Sequence, residues 1–277
     1  MRLGISKALA ADSAEEWAAK HAELGLKAVV FPPKKYSETD KLIDECVRAC
    51  KNHDLVIAEV GAWKNVMDPD PVKRAENIKY CKERLQLAEY VGAKCAVNIT
   101  GSASSEKWDA PHRGNYDPDF QQRMVETIRE IVDAVNPKQT FYTAEPMPWM
   151  LPDSPESYLD LMKQVDRPGF AVHMDAVNMM SSPKTLLFCR EFLDNAFKLL
   201  GPYIKSCHIK DVALEQKLTV RMPETPCGTG AFDLRYYIKL IDALSPEMPV
   251  IIEHLPNEED YLAAVTYLQK LMAEPEA

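Results

Sequence analysis

The chain has 277 residues, 46% of them hydrophobic and 27% charged, which gives it ample apolar material for a core and excludes a disordered polymer. Its net charge of −9 argues against a sequence-independent grip on a phosphate backbone, which needs clustered Lys and Arg, so nucleic acid is not an expected partner. The seven cysteines fall singly, with no zinc-type paired spacing, and read as reduced structural thiols. No apolar run approaches the ~20 residues of a membrane span, so no membrane partner and a cytoplasmic location are expected.

Leu3 to Ser6 reads as a short strand, and Asp12-Ser13 as the cap of a helix running through Trp17 and Leu24 to Gly25. Ala28 to Phe31 is a second strand stopped by Pro32-Pro33, followed by a helix over 40–53 with Leu42, Ile43 and Val47 on one face. Leu55 to Val60 is a third strand, and Pro71 to Val91 a long helix that Gly92 ends. Ala96 to Ile99 is the fourth strand. A long loop from Gly101 to Tyr116 carries Trp108, His112 and Arg113, before a helix over 117–135. The fifth strand, Phe141 to Glu145, breaks at Pro146 and is followed by a helix over 154–165; the sixth, Phe170 to Asp175, is followed by one helix over 183–200. Ile204 to Ile209 is the seventh strand, with a long polar connection to a helix over 234–244. Val250 to Glu253 is the eighth, and a helix over 258–272 precedes a short acidic tail.

Eight strands alternating with eight amphipathic helices predict parallel strands joined by crossover helices. With no linker dividing the chain, the expected fold is α/β, a single (β/α)₈ TIM barrel spanning 1–277 as one domain. Neither a GxGxxG nor a GxxxxGK[ST] pattern is present, which removes the usual support for a nucleotide cofactor.

Working residues of such a barrel sit where strands end. Glu145, Asp175, His208 and Glu253 hold that position on the last four strands. Adjacent strands lie roughly 5 Å apart, so these four side chains can meet at one small atom. Three converging carboxylates repel one another unless a cation joins them. Two Glu, one Asp and one imidazole suit Mn²⁺, Co²⁺ or Mg²⁺, with Zn²⁺ and Fe²⁺ also compatible.

These strand ends, Thr143-Ala144-Glu145-Pro146, His173 to Asn178, Cys207 to Asp211 and Ile251 to His254, resemble the sugar isomerase/epimerase superfamily of xylose-isomerase-like barrels. That superfamily includes ketose 3-epimerases, hydroxypyruvate isomerases, inosose dehydratases and, more distantly, endonuclease IV. The resemblance implies that Glu145, Asp175, His208 and Glu253 bind one divalent ion and that Glu145 and Glu253 also act as catalytic acid and base. The chemistry is coherent: a cation chelating a ketose carbonyl and its neighbouring hydroxyl stabilises the cis-enediolate, while a glutamate on each face removes and returns the proton. The expected activity is therefore a metal-dependent isomerase or epimerase of a sugar or keto-sugar derivative. The alternative is a dehydratase or lyase acting on a keto-sugar or inosose. A nuclease of the endonuclease IV kind is disfavoured by six histidines and the acidic balance, and a non-catalytic sugar-binding barrel by the complete ligand set. Barrels of this kind often associate, so a homo-oligomer is compatible with the resemblance.

The departures lie around the metal set: Asn178 stands where the epimerases have a histidine, Leu151 where they have a glutamate and Leu214 where they have an arginine, with Arg221 further along the same loop. Other candidates carry two readings each. Lys210 either binds substrate or pairs with Asp211; Trp149 either stacks on a sugar or packs; Glu59, Trp63 and Asn98 either line the mouth or support it. His173 faces the same side as Asp175 and is a substrate or supporting group. His112 and Arg113 belong either to a lid or to a solvated loop. Glu224 with Pro226, Gly228 and Gly230 resembles the superfamily's E-x-P-x-G-x-G loop and sets loop conformation. His254, one past Glu253, is expected to point away.

Overall fold

A computed structural model describes residues 1–32 and 39–274. Pro33, in the predicted stop after the second strand, and the end of the acidic tail lie outside the described residues. The main sheet has eight strands in the order β1-β10-β7-β6-β5-β4-β3-β2: β1 Arg2–Ile5, β2 Ala28–Val30, β3 Val56–Gly61, β4 Cys95–Asn98, β5 Tyr142–Ala144, β6 Phe170–Asp175, β7 Ile204–Ile209 and β10 Pro249–Ile252. The two terminal members of that order meet through Lys27 N donating to Leu3 O at 2.8 Å. The result is a parallel barrel with helices between its strands, as the alternation predicts.

Contacts group the chain into two compact units. In the first (residues 1–58, 180–197 and 207–277) β1 pairs in parallel with β10, Gly4 opposite Ile251, and β10 pairs with the end of β7, Ile251 opposite His208. Ala28, Ala58 and Ile251 are fully buried together, with Val30 packed against them. Gly4 is obligatory here, because a Cβ would strike the carbonyl oxygen of Ala28 and lie 2.7 Å from Ile251 Cδ1. In the second unit (59–179 and 198–206) β3, β4, β5 and β6 pair in order, with Val97 opposite Thr143 and Thr143 opposite Ala171.

The helices begin where the sequence offers a side-chain acceptor. Ser13, Asp70, Ser154 and Asp233 each accept an N–H from the first turn of α1 Ala14–Glu23, α3 Pro71–Val91, α5 Pro155–Val165 and α8 Leu234–Leu244. Gly92 closes α3 in the left-handed region at φ 69°.

Two features differ from expectation. The helix predicted over 183–200 is two helices, α6 Pro183–Leu187 and α7 Cys189–Leu200, broken at Phe188. Leu186, Cys189 and Leu193 are buried, while Leu187 and Phe188 at the break stay exposed. The connection after β7 is a small antiparallel ribbon, β8 Asp211–Val212 against β9 Glu224–Thr225, continued by the Glu215–Arg221 bridge. Among the described residues no helix is long and apolar enough to cross a membrane, and all seven cysteines are buried, reduced thiols. Burial pushes the Cys46 thiol up to about 11 and the Cys50 thiol up to about 12, as expected of apolar packing groups.

Candidate metal centre

Period-two alternation puts His173 and Asp175 on one face of β6, and Ser206 and His208 on one face of β7. Tyrosines fix both strands from outside. The Tyr158 hydroxyl bonds Ala144 O and accepts His173 N at 3.1 Å, and the Tyr237 hydroxyl donates to His208 O at 3.2 Å. These phenols left no signal in the strand motifs, since each acts on a backbone group far away in sequence.

Glu145 follows β5 directly, its N–H donating to Asn98 O at 2.7 Å. Its Oε1 accepts from Asn178 Nδ2 at 3.2 Å, while Asn178 N donates to Asp175 Oδ1 at 2.9 Å. Asn178 therefore holds two of the predicted metal ligands at once. Deeper along the same strands, Glu59 Oε2 accepts from Ser206 Oγ at 3.3 Å and lies 3.7 Å from His173 Nδ1.

Glu253 follows β10. Its Oε2 lies 2.9 Å from His208 Nδ1 and its Oε1 lies 2.6 Å from Lys210 Nζ. Burial pushes the Glu253 carboxyl up, but His208 and Lys210 outweigh it and hold the group well below the usual carboxylate range. Lys210 also reaches Glu224 Oε1 at 3.0 Å. His254 Nδ1 lies 3.1 Å from Glu224 Oε2 and 3.3 Å from Lys210 Nζ.

Glu145, Asp175, His208 and Glu253, all buried, each offer a ligand atom within 4.8 Å of the others. Three carboxylates and one imidazole nitrogen this close, shielded from water, fit a divalent cation, because a lone lysine cannot offset three buried negative charges. Glu59, His173 and His208 form a second such group that shares His208.

Several expectations need correction. Asn98 is turned into the wall: its amide donates to Lys64 O at 2.9 Å and Tyr142 Oη at 3.2 Å and its oxygen accepts Lys64 N. Asp211 does not pair with Lys210, because alternation sends it the other way. There it accepts N–H groups from Val212, Gly228, Gly230 and Phe232 and so sets the loop bearing Glu224. His254 does not point away: its positive φ of 58° turns the ring back onto Glu224 and Lys210.

Trp149 is half-buried, its Nε1 donating to Asp109 O at 2.7 Å and its carbonyl accepting from Asn115 Nδ2, so it anchors the 101–116 loop. That loop is laced to the body through Asn65, whose side chain both accepts from Ser102 N and donates to Ser102 O. His112 and Arg113 are exposed on it. Arg221 is exposed on the hairpin, its carbonyl accepting Glu215 N at 3.1 Å.

No curated protein sequence matches the chain. Solved structures do, at identities that speak for the fold alone. A probable 3-DHS dehydratase from Bacillus anthracis superposes with a TM-score of 0.75 at 15% identity, covering 97% of this chain and 99% of that one. A D-psicose 3-epimerase with D-tagatose from Clostridium cellulolyticum H10 gives 0.72 at 15% identity, covering 98% and 99%. A xylose isomerase-like TIM barrel protein from Mycobacterium smegmatis in complex with magnesium gives 0.67 at 17%, covering 94% and 89%. The model of one protein family matches residues 18–271, and with the barrel and its strand-end cluster in place the chain belongs to the xylose isomerase-like TIM barrel family.

Proposed function

We propose that the chain is a divalent-metal-dependent isomerase or epimerase of a sugar or keto-sugar derivative. The observation that carries this reading is the buried group of Glu145, Asp175, His208 and Glu253 within 4.8 Å of one another. A cation held there would supply Lewis acidity toward a carbonyl and its neighbouring hydroxyl. Glu145 and Glu253 are the proton carriers, one removing the proton from the carbon between those oxygens and the other returning it. Asn178 gives Glu145 a neutral donor and Lys210 gives Glu253 a charged one. The two glutamates are thus oriented by different partners, which suits unequal roles in removing and returning a proton. With Asn178 and Lys210, the residues proposed around the substrate are His173, Glu59, Trp149, Asn98 and Arg221. Sugar epimerases among the structural neighbours support the reading, and a magnesium-bound neighbour supports the cation.

A dehydratase is the second reading, favoured by Asn178, Leu151 and Leu214 at the positions where the epimerase resemblance breaks and by the dehydratase among the neighbours. Candidate ketoses incubated in D₂O separate the two: an isomerase or epimerase exchanges the carbon-bound hydrogen and conserves mass, whereas a dehydratase releases water. Metal analysis tests the shared premise. The wild-type protein should retain about one divalent ion, and Glu145→Gln or Glu253→Gln should lose it or bind it 10–100-fold more weakly. A wild-type protein that takes up no divalent ion, or variants that bind it unchanged, refutes the proposal.

A further inference from the structure

Lys210 is only 2% exposed, and a buried ammonium needs its charge matched. Two carboxylates do this, and they differ in how they are held. Glu253 follows a barrel strand and is itself buried. Glu224 stands on the two-residue strand β9, beside a hairpin tip where Leu218 is fully exposed, and its own side chain is 41% exposed. Its Oε1 lies 3.0 Å from Lys210 Nζ, and His254 Nδ1 lies 3.2 Å from that oxygen and 3.1 Å from Oε2. This is a formed receptor for a planar carboxylate. The His254 backbone occupies the left-handed region at φ 58°, an unfavourable conformation for a non-glycine residue, and the ring reaches Glu224 only because of it.

Lys210 touches Glu253, one of the two proposed proton carriers, at 2.6 Å. The receptor therefore adjoins the place where chemistry is proposed, and the half-exposed Glu224 side chain can turn to solvent while its backbone stays in the ribbon. We propose that the substrate is a keto-sugar acid whose carboxylate binds between Lys210 and His254, in the position that Glu224 fills when no substrate is bound. The inference rests on the reading of the site as one that acts on keto-sugars.

Titration calorimetry on the magnesium-loaded protein tests it with matched probes, D-fructose against D-fructuronate and D-tagatose against D-tagaturonate. Each pair differs in a terminal hydroxymethyl replaced by a carboxylate. The uronates should bind at least about tenfold more tightly than the ketohexoses. Glu224→Gln should widen that ratio several-fold by removing the competing carboxylate, and Lys210→Met should abolish it. Glu224 is exposed, so its variant keeps the test open if Lys210→Met fails to fold. Equal binding of both members, binding of neither, or Glu224→Gln weakening ketohexose binding overturns the inference, as does tighter binding of D-fructose 6-phosphate than of the uronates. Divalent-ion content measured on the same samples separates the failures: a protein that holds the ion but shows no uronate preference sinks only the carboxylate receptor. One that holds no ion sinks the reading of the site as well.

Discussion

Replacing Asp211 with alanine removes an anion that organises the whole loop between β7 and α8. Asp211 is 1% exposed, and each of its carboxylate oxygens accepts two backbone N–H groups: Oδ1 from Val212 at 2.8 Å and Phe232 at 3.1 Å, Oδ2 from Gly228 at 3.0 Å and Gly230 at 2.9 Å. Gly228 and Gly230 are exposed and can turn to water. Val212 and Phe232 are buried, and each N–H left without an acceptor costs about 1–3 kcal/mol. The loss should therefore come to about 4 kcal/mol. With an unfolding entropy of roughly 2.1 cal/mol/K per residue over 277 residues, that is a fall in melting temperature of about 7 °C. Thermal unfolding followed by circular dichroism measures it. A Cβ at Gly230 would strike the same carboxylate and lie 2.6 Å from Val212 O, so Gly230→Ala should be destabilising too, and the double variant should cost less than the sum of the singles. An Asp211→Ala protein melting within 1–2 °C of wild type, or strict additivity of the pair, would refute this account of the loop.

Two further outcomes follow from the same kind of accounting. Gly4→Ala should give protein that is insoluble or destabilised by about 3 kcal/mol, because the carbonyl of Ala28 that blocks the new methyl is barrel backbone; a denaturant midpoint close to wild type would show that β1 can shift. Glu89 receives N–H bonds from Lys138, Gln139 and Thr140 at 3.0–3.1 Å, and although burial pushes its carboxyl up, those three donors together hold it below its ordinary value of 4.5. A depressed folded pKa stabilises above the unfolded pKa and is lost as pH falls through the folded one, so the stability difference between wild type and Glu89→Gln should be full at pH 6 and shrink below about pH 4; a difference independent of pH contradicts it.

The barrel was legible in the sequence because its information is local. Ser13, Asp70 with Pro71, Gly92 and Asp233 announce helix ends through groups one to three residues away, and α8 runs over Leu234–Leu244 as the apolar spacing predicts. The break at Phe188 was not legible, since neither glycine nor proline marks it and Leu186, Cys189 and Leu193 suit one continuous helix as well as two. The β8–β9 ribbon has two residues on each side, too few to show an alternation. Asn98 and His254 show two limits of reading strand ends. Asn98 ends a strand as a site residue would, but its partners are the backbone of Lys64 and the Tyr142 hydroxyl, which no strand-end pattern reveals. Alternation places His254 correctly for an extended chain, and the chain there is not extended.

The three polar residues after Cys207 follow one rule to three different jobs. Period two puts His208 and Lys210 on one side and Asp211 on the other. His208 supplies the single nitrogen of the proposed metal set, Lys210 bonds the free oxygen of Glu253, and Asp211 holds the loop that carries Glu224. Glu253 and Glu224 set two carboxylates against the ammonium of Lys210, and Glu145 and Asp175 join Glu253 in the proposed metal set, so four carboxylates and this ammonium sum to three negative charges. A divalent ion in the proposed set would remove two of those three charges and leave one. Exchanging Glu224 for a substrate carboxylate leaves that balance unchanged, so an acid substrate enters without adding charge to the site. A neutral sugar that displaced Glu224 would instead strip Lys210 of one of its carboxylate partners. The charge count and the Lys210–Glu224–His254 geometry thus favour the same class of substrate.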